Sequence, residues 1–248
     1  MGTHHLSLPY QQLDRDPAGE PSTGTPAAGS PRPAGACGCS AESYPSGRIQ
    51  RVLLTLRSVP LVPEVSLHLA DERAGLFDQS GGEFRSDEPP PFWAFAWAGG
   101  QALARYLLDH PETVRDRSVL DLATGSGIAA IAAGRAGATE VSASDRDELA
   151  VAAALRNAQA NGVRLSAAET ADVVLAGDVF YSPPVADEMA RTLRRHARNG
   201  ARILVGDPGR GYFPDRLFHR LTEYPVPVPA VLEETETLVT GVWEMRAT

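Results

Sequence analysis

The stretch Val119-Leu120-Asp121-Leu122-Ala123-Thr124-Gly125-Ser126-Gly127 constrains this chain more than any other part of it. An apolar strand ends in an acid, passes through a turn of small residues and opens a helix at Ile128. Small residues let a ligand lie against bare backbone, and the helix start points its N–H groups and positive dipole end at that ligand. A second acid, Asp145, closes the next short strand, Glu140 to Ser144. Strand, small-residue turn, helix, strand, acid is the layout of a nucleotide-type cofactor site.

The same alternation continues. An Ala-rich helix runs from Glu148 to Gln159 and stops at Asn161-Gly162. Asp172 to Asp178 is an apolar strand ending in an acid. Val185 to Ala197 is a helix with a basic C-terminal half, as its dipole prefers. Ile203 to Asp207 is a further strand, Tyr224 to Val231 a Pro-broken run, and Thr237 to Met245 strand-like. Apolar strands alternating with helices predict an α/β, doubly wound, mostly parallel sheet with helices on both faces. Asp121, Asp145, Asp178 and Asp207 all fall at C-terminal strand ends, where ligands bind in such sheets.

Upstream, residues 1–47 are rich in Pro, Gly, Ala, Ser and Thr. They bury too little apolar surface to offset ordering entropy and read as a disordered tail. Residues 48–248 form the domain, with a helical and extended cap over 48–100. Ile49, Val52, Leu53 and Leu56 follow helical spacing, and Val65, Leu67 and Leu69 alternate as in a strand. The formal charge of −8 argues against a nucleic-acid partner, whose phosphates demand a basic face. Cys37 and Cys39 are the two cysteines; they make no disulfide framework, and no metal is expected. With no apolar run long enough for a membrane and no signal-peptide pattern, the expected location is cytoplasmic.

Taken alone, the turn is ambiguous. Gly125-x-Gly127-x-x-Ala130 fits a loose dinucleotide fingerprint, with Asp145 placed for a ribose. However, Asp121 to Gly127 resembles the D-x-G-x-G-x-G motif of class I S-adenosylmethionine-dependent methyltransferases, with Ala123 in place of the first glycine. Pro91-Phe92-Trp93-Ala94-Phe95-Ala96-Trp97-Ala98-Gly99-Gly100 is similar to the segment preceding that motif in the electron-transfer flavoprotein β-subunit lysine methyltransferases and their bacterial relatives. Asp178-Val179-Phe180-Tyr181 matches the D-x-x-Y motif of the wider lysine methyltransferase group, and Gly206-Asp207-Pro208-Gly209-Arg210 is also similar to theirs. The resemblance runs from about Arg48 to Arg246.

This resemblance implies a seven-stranded Rossmann-like sheet and S-adenosyl-L-methionine as cofactor. It implies Trp97, Gly99, Asp121, Ala123, Gly125, Gly127 and Asp145 as cofactor-binding residues, with Trp97 and Gly99 near the methionine end. It implies Asp178 and Tyr181 as catalytic residues that orient an attacking lysine amine. Trp93, Phe180, Asp207 and Arg210 fall on the substrate side; a salt bridge between Asp207 and Arg210 is the alternative for the last two. The implied partner is a lysine-bearing protein, either the flavoprotein β-subunit or a ribosomal protein. One departure stands out. Only Val163 to Ala171 lie between Asn161-Gly162 and Asp172, where the family fits a strand and an acidic loop, so Glu169 is the one stand-in for an adenine contact. A small-molecule N-methyltransferase, an NAD(P)-binding oxidoreductase and a catalytically weak methyltransferase-like binding protein are the alternatives.

Overall fold

The computed structural model describes residues 54–71, 91–233 and 235–246. The tail predicted over 1–47, with Cys37 and Cys39, lies outside the described residues, as do Ile49, Val52 and Leu53. In chain order the elements are β1 (Leu54–Val59), β2 (Val62–Ala70), α1 (Ala98–Asp109), β3 (Ser118–Leu122), α2 (Ile128–Arg135), β4 (Glu140–Ser144) and α3 (Glu148–Ala160). There follow β5 (Val173–Gly177), α4 (Pro183–Arg198), β6 (Arg202–Asp207), β7 (Phe218–Pro227), α5 (Ala230–Glu233) and β8 (Thr237–Met245). Among the described residues, no helix is long and apolar enough to cross a membrane.

The main sheet has the order β4-β3-β5-β6-β8-β7. Its first four strands are parallel; β8 runs antiparallel to both β6 and β7. Val173 and Leu175 bury against α1 and α2, while Val174 and Ala176 bury with Leu193 of α4 on the opposite face. Helices therefore cover both faces, because every second residue of a central strand must be apolar on each side. Among the described residues this sheet has six strands, not the expected seven. The span from Val163 to Ala171 is too short for a strand plus a crossover. It makes one parallel bridge, Ser166 to Ser142, beside β4.

Two other expectations change. Leu56 lies in β1, not in a helix, paired antiparallel with β2 in a separate hairpin. The helical spacing of its apolar residues is overridden by the backbone bonds that β2 supplies. The alternation of Val65, Leu67 and Leu69 is borne out, and all three are buried. The Pro-broken run from Tyr224 is the second half of β7, an edge strand. Pro225 and Pro227 sit two residues apart, so their missing N–H groups both fall on the unpaired side.

The hairpin is fastened by α3. Asn161 accepts from Ser66 N (3.0 Å) and donates to Ser66 O (2.6 Å). Asn157 accepts from His68 N (2.8 Å) and donates to Ser126 O in the glycine turn (2.8 Å). One buried amide thus joins the hairpin to the turn.

The tightest packing is at the start of α1. A Cβ on Gly99 would stand 2.1 Å from Gly206 O, and one on Gly206 would stand 2.0 Å from Gly99 O. A Cβ on Gly177 would meet Gly100 N at 2.8 Å. The helix therefore rests backbone on backbone across the ends of β5 and β6. Gly125 differs: its φ is +51°, yet a Cβ there would meet nothing within 4 Å. Gly99→Ala is expected to cost at least about 2 kcal/mol, because rigid backbone must move. Gly125→Ala should cost only its left-handed conformation, about 1–2 kcal/mol. Urea denaturation of both variants checks this ranking, and a Gly99→Ala midpoint equal to that of the unmodified chain would contradict it.

Candidate active site

Asp121 ends β3 with its side chain buried. Its Oδ2 accepts from Thr124 Oγ1 (2.7 Å) and from Ala130 N in the first turn of α2 (3.2 Å). The acid therefore shapes the turn from beneath. Burial, ahead of every other influence, raises its pKa to about 7. The turn is further pinned to β4: Thr124 N donates to Ser144 O (3.1 Å), and Gly125 N donates to Asp145 Oδ2 (3.1 Å). Gly127 adopts φ +83°, and a Cβ there would meet Ala154 Cα at 2.9 Å, so glycine lets α2 seat on α3. Ala123 takes φ +54° where the motif carries glycine. An L side chain in this region is strained, so the departure from glycine has a conformational cost.

Opposite this turn, Asp178 follows β5, also with a positive φ of 55°. Its Oδ2 accepts from Gly100 N (3.0 Å), capping the first turn of α1. Its buried Oδ1 accepts no hydrogen bond among the described residues; Arg210 stands 3.8 Å from it. Burial raises the pKa of Asp178 to about 7, against the opposing pull of Arg210. Asp207 ends β6, accepts from Gly209 N (2.7 Å) and is pushed by burial to about 6.

Aromatic side chains form the rim. Trp97 precedes α1 and donates from its indole to Phe92 O (2.8 Å). The Phe92 ring lies 6.0 Å from Trp97 and 6.3 Å from Tyr181. Arg146, after β4, donates to Tyr181 Oη (3.3 Å), and Arg210 lies 6.0 Å over Trp97. Phe92 and Tyr181 are 43% and 42% exposed, so this rim offers apolar surface to an incoming group.

Several expectations are corrected. Phe180 is fully buried, edge-on to Phe213 and Phe218, and is core, not a substrate wall. Trp93 is buried with Leu54, Ala70 and Ala153, packing the hairpin against α3. Arg210 takes Glu233 as its ion-pair partner, with both guanidinium prongs engaged, in place of Asp207. Glu169 is exposed, just beyond the bridge beside β4. Phe92, Arg146, Asn157 and Glu233 were not singled out from the sequence; of these, Phe92 alone stood inside a quoted motif.

The family profile "Ribosomal protein L11 methyltransferase (PrmA)" matches residues 102–195. The electron transfer flavoprotein beta subunit lysine methyltransferase of Mus musculus is 36% identical over 204 residues, 75% of this chain and 78% of the relative. The Danio rerio protein of the same name is 38% identical over 76% of this chain and 78% of the relative.

The chain belongs to the electron transfer flavoprotein beta subunit lysine methyltransferase family.

It is a methyltransferase. A ribosomal protein L11 methyltransferase of Sorangium cellulosum is 40% identical over 109 residues, 44% of this chain and 34% of that protein. The solved ribosomal protein L11 methylase from Lactobacillus delbrueckii subsp. bulgaricus overlaps 77% of this chain and 100% of its own, with TM-score 0.48 and 18% identity.

Asp121 sets a pH dependence for this methyltransferase fold. The unfolded chain releases this proton near pH 4, whereas the folded chain holds it to about 7. Between those values the folded state binds more protons, so stability from this group falls as pH rises and levels off above 7. Asp121→Asn keeps an acceptor for Thr124 and Ala130 but removes the titration. Calorimetric melting at pH 5 and pH 8 should show the variant gaining on the unmodified chain at the higher pH; a constant gap would refute this assignment.

Proposed function

We propose that this methyltransferase uses S-adenosylmethionine to methylate a lysine side chain of a protein, the flavoprotein β-subunit being the preferred acceptor. The observation that carries the reading is Asp178. Its buried Oδ1 accepts no hydrogen bond among the described residues, and Asp178 lies three residues before Tyr181 of the aromatic rim. A cationic cofactor fits the residues present. The backbone at Gly125 is open, Asp145 stands beside it, and Asp121 lies beneath the turn. We assign Trp97 and Gly99, at the start of α1, to the methionine end of the cofactor. Bound there, S-adenosylmethionine would supply a methyl carbon for a neutral amine to attack, the sulfur leaving with its electron pair as the neutral thioether S-adenosylhomocysteine.

The chain's own residues prepare that amine. A lysine ammonium has a reference pKa of about 10.4 and must lose its proton before it attacks. Phe92, Trp97 and Tyr181 strip water from it, which favours the neutral form. Asp178 accepts a hydrogen bond from the nitrogen and fixes its direction, while Tyr181, held by Arg146, forms the wall. Holding both reactants in line supplies most of the acceleration. A protein acceptor suits an open rim with exposed Phe92 and Tyr181 better than an enclosed small-molecule pocket. The profile match to ribosomal protein L11 methyltransferases ends at Arg195, before Asp207 and Arg210. It spans Asp178 and Tyr181 as well as the glycine turn, whereas the flavoprotein-modifying relatives match 75% of this chain, and this broader match favours the flavoprotein acceptor.

Asp145→Ala should weaken S-adenosylhomocysteine binding by about tenfold or more, the value of a lost charge-assisted hydrogen-bond pair. Titration calorimetry reads this directly, and unchanged affinity would remove Asp145 from the cofactor site. Asp178→Asn should keep that affinity while methyl transfer to purified flavoprotein β-subunit falls by about 100-fold or more. Transfer of labelled methyl groups at the unmodified rate would remove Asp178 from the chemistry.

A further inference from the structure

Glu233 belongs to no motif, yet it is among the most deeply placed charges near the site. It closes α5, the short turn between β7 and β8, and its side chain is 6% exposed. Its two oxygens take both prongs of Arg210: NH1 meets Oε2 at 2.8 Å, and NH2 bonds Oε1. The same NH2 is 3.8 Å from Asp178 Oδ1, too long for a hydrogen bond. The guanidinium also lies over Trp97. One cation thus faces two carboxylates, and the bidentate geometry gives it to Glu233.

We propose that Glu233 is a positioning residue for methyl transfer: by clamping Arg210 over Trp97, it holds that cation close to Asp178 without letting it occupy Oδ1. This rests on the role of Asp178 given above. Arg210 then favours the ionised form of Asp178 against burial, while Oδ1 is left without a hydrogen bond for the acceptor nitrogen to supply. Without the clamp, Arg210 closes the gap and forms its own bond to Asp178. Without Arg210, burial and Asp207 neutralise Asp178. The groups facing Asp178 are Arg210 and Asp207 from the end of β6 and the N–H groups of Gly99 and Gly100 from α1, with Glu233 behind Arg210.

The two arms of the clamp therefore act in opposite directions, which a merely structural contact does not do. The test is carbon-13 NMR of the full chain labelled at aspartate carboxyls, titrated from pH 4 to pH 9, with Asp178 assigned through Asp178→Asn. In Arg210→Met the Asp178 midpoint should rise by about one pH unit or more. In Glu233→Gln it should fall, as Arg210 moves onto Asp178. Should Arg210→Met not fold, Arg210→Gln carries the same expected rise. Midpoints that stay put, or that move the same way in both variants, overturn the proposal. In parallel, Glu233→Gln should lower kcat for methyl transfer at least several-fold while S-adenosylhomocysteine affinity holds. Unchanged kcat also overturns it. The two readings fail separately: an unmodified chain that methylates no lysine sinks the proposed function, whereas active chain with unmoved Asp178 midpoints sinks only the role of Glu233.

Discussion

Gly99 and Gly206 meet with no side chain between them, and Gly177 meets Gly100 in the same way. This contact sets the depth at which α1 lies on the sheet. Because it falls at the carboxyl ends of β5 and β6, it also brings the first N–H groups of α1 to Asp178. The acid satisfies a helix start with Oδ2, while its buried Oδ1 accepts no hydrogen bond among the described residues. Packing and the proposed chemistry share one residue, and the small size of four glycines is what allows it. Trp97, the residue before α1, is fixed by the same seating, and the rim of Phe92, Trp97 and Tyr181 is hung from it.

The second support is the turn after β3. Asp121 holds it from below, Asp145 and Ser144 from the side, and Asn157 from the helix behind. Asp121 takes the Thr124 hydroxyl and the Ala130 N–H, and the other bonds reach separate backbone groups, so the turn is determined without a ligand. That degree of fixation accounts for Ala123 in a left-handed conformation: the surroundings dictate φ, and a residue other than glycine accepts the strain. Preorganisation of this kind lowers the ordering cost of binding.

What could be read from the sequence follows physical range. The strands β3, β5 and β6 were legible as short apolar runs and β4 by its place between two helices, each with an acid at its C-terminal end, and the helices between them carry caps and stops at Asn161-Gly162 and Asn199-Gly200. The family motifs placed Asp121, Asp145 and Asp178 at one edge of the sheet, where they are. The hairpin was not legible, since Leu56 fits a helix by spacing and joins a strand only once β2 is beside it. Nor was the division of labour inside Asp178-Val179-Phe180-Tyr181. Two adjacent rings leave a strand end in different directions, and only the packing of Phe213 and Phe218 decides that Phe180 goes inward. Glu233 and Asn157 act on groups distant in the chain, so no local pattern announces them.

The edge of the sheet at β4 shows how such a fold manages without its expected outer strand. A parallel strand buried on both faces is normally a continuous apolar run, yet β4 reads Glu-Val-Ser-Ala-Ser. Its alternate polar residues carry the pairing that a neighbouring backbone would have made. Ser142 Oγ accepts from Ala168 N (3.1 Å) and bonds Ser166 Oγ (2.8 Å), while Ser166 Oγ also reaches Glu140 Oε1 (2.9 Å). Ser166 N donates to Val141 O (2.8 Å), the one backbone bond of the missing ladder. These bonds protect an otherwise open edge. The bridge is parallel, so the chain leaves it toward the carboxyl end of β4, the end that carries Asp145. Glu169 thus emerges toward the end of β4 that carries Asp145, and is exposed. In the cofactor site proposed above, the adenine side is built from a loop anchored by serines, and Asp145 is thereby given a larger share of recognition than a full strand and acidic loop would leave to it.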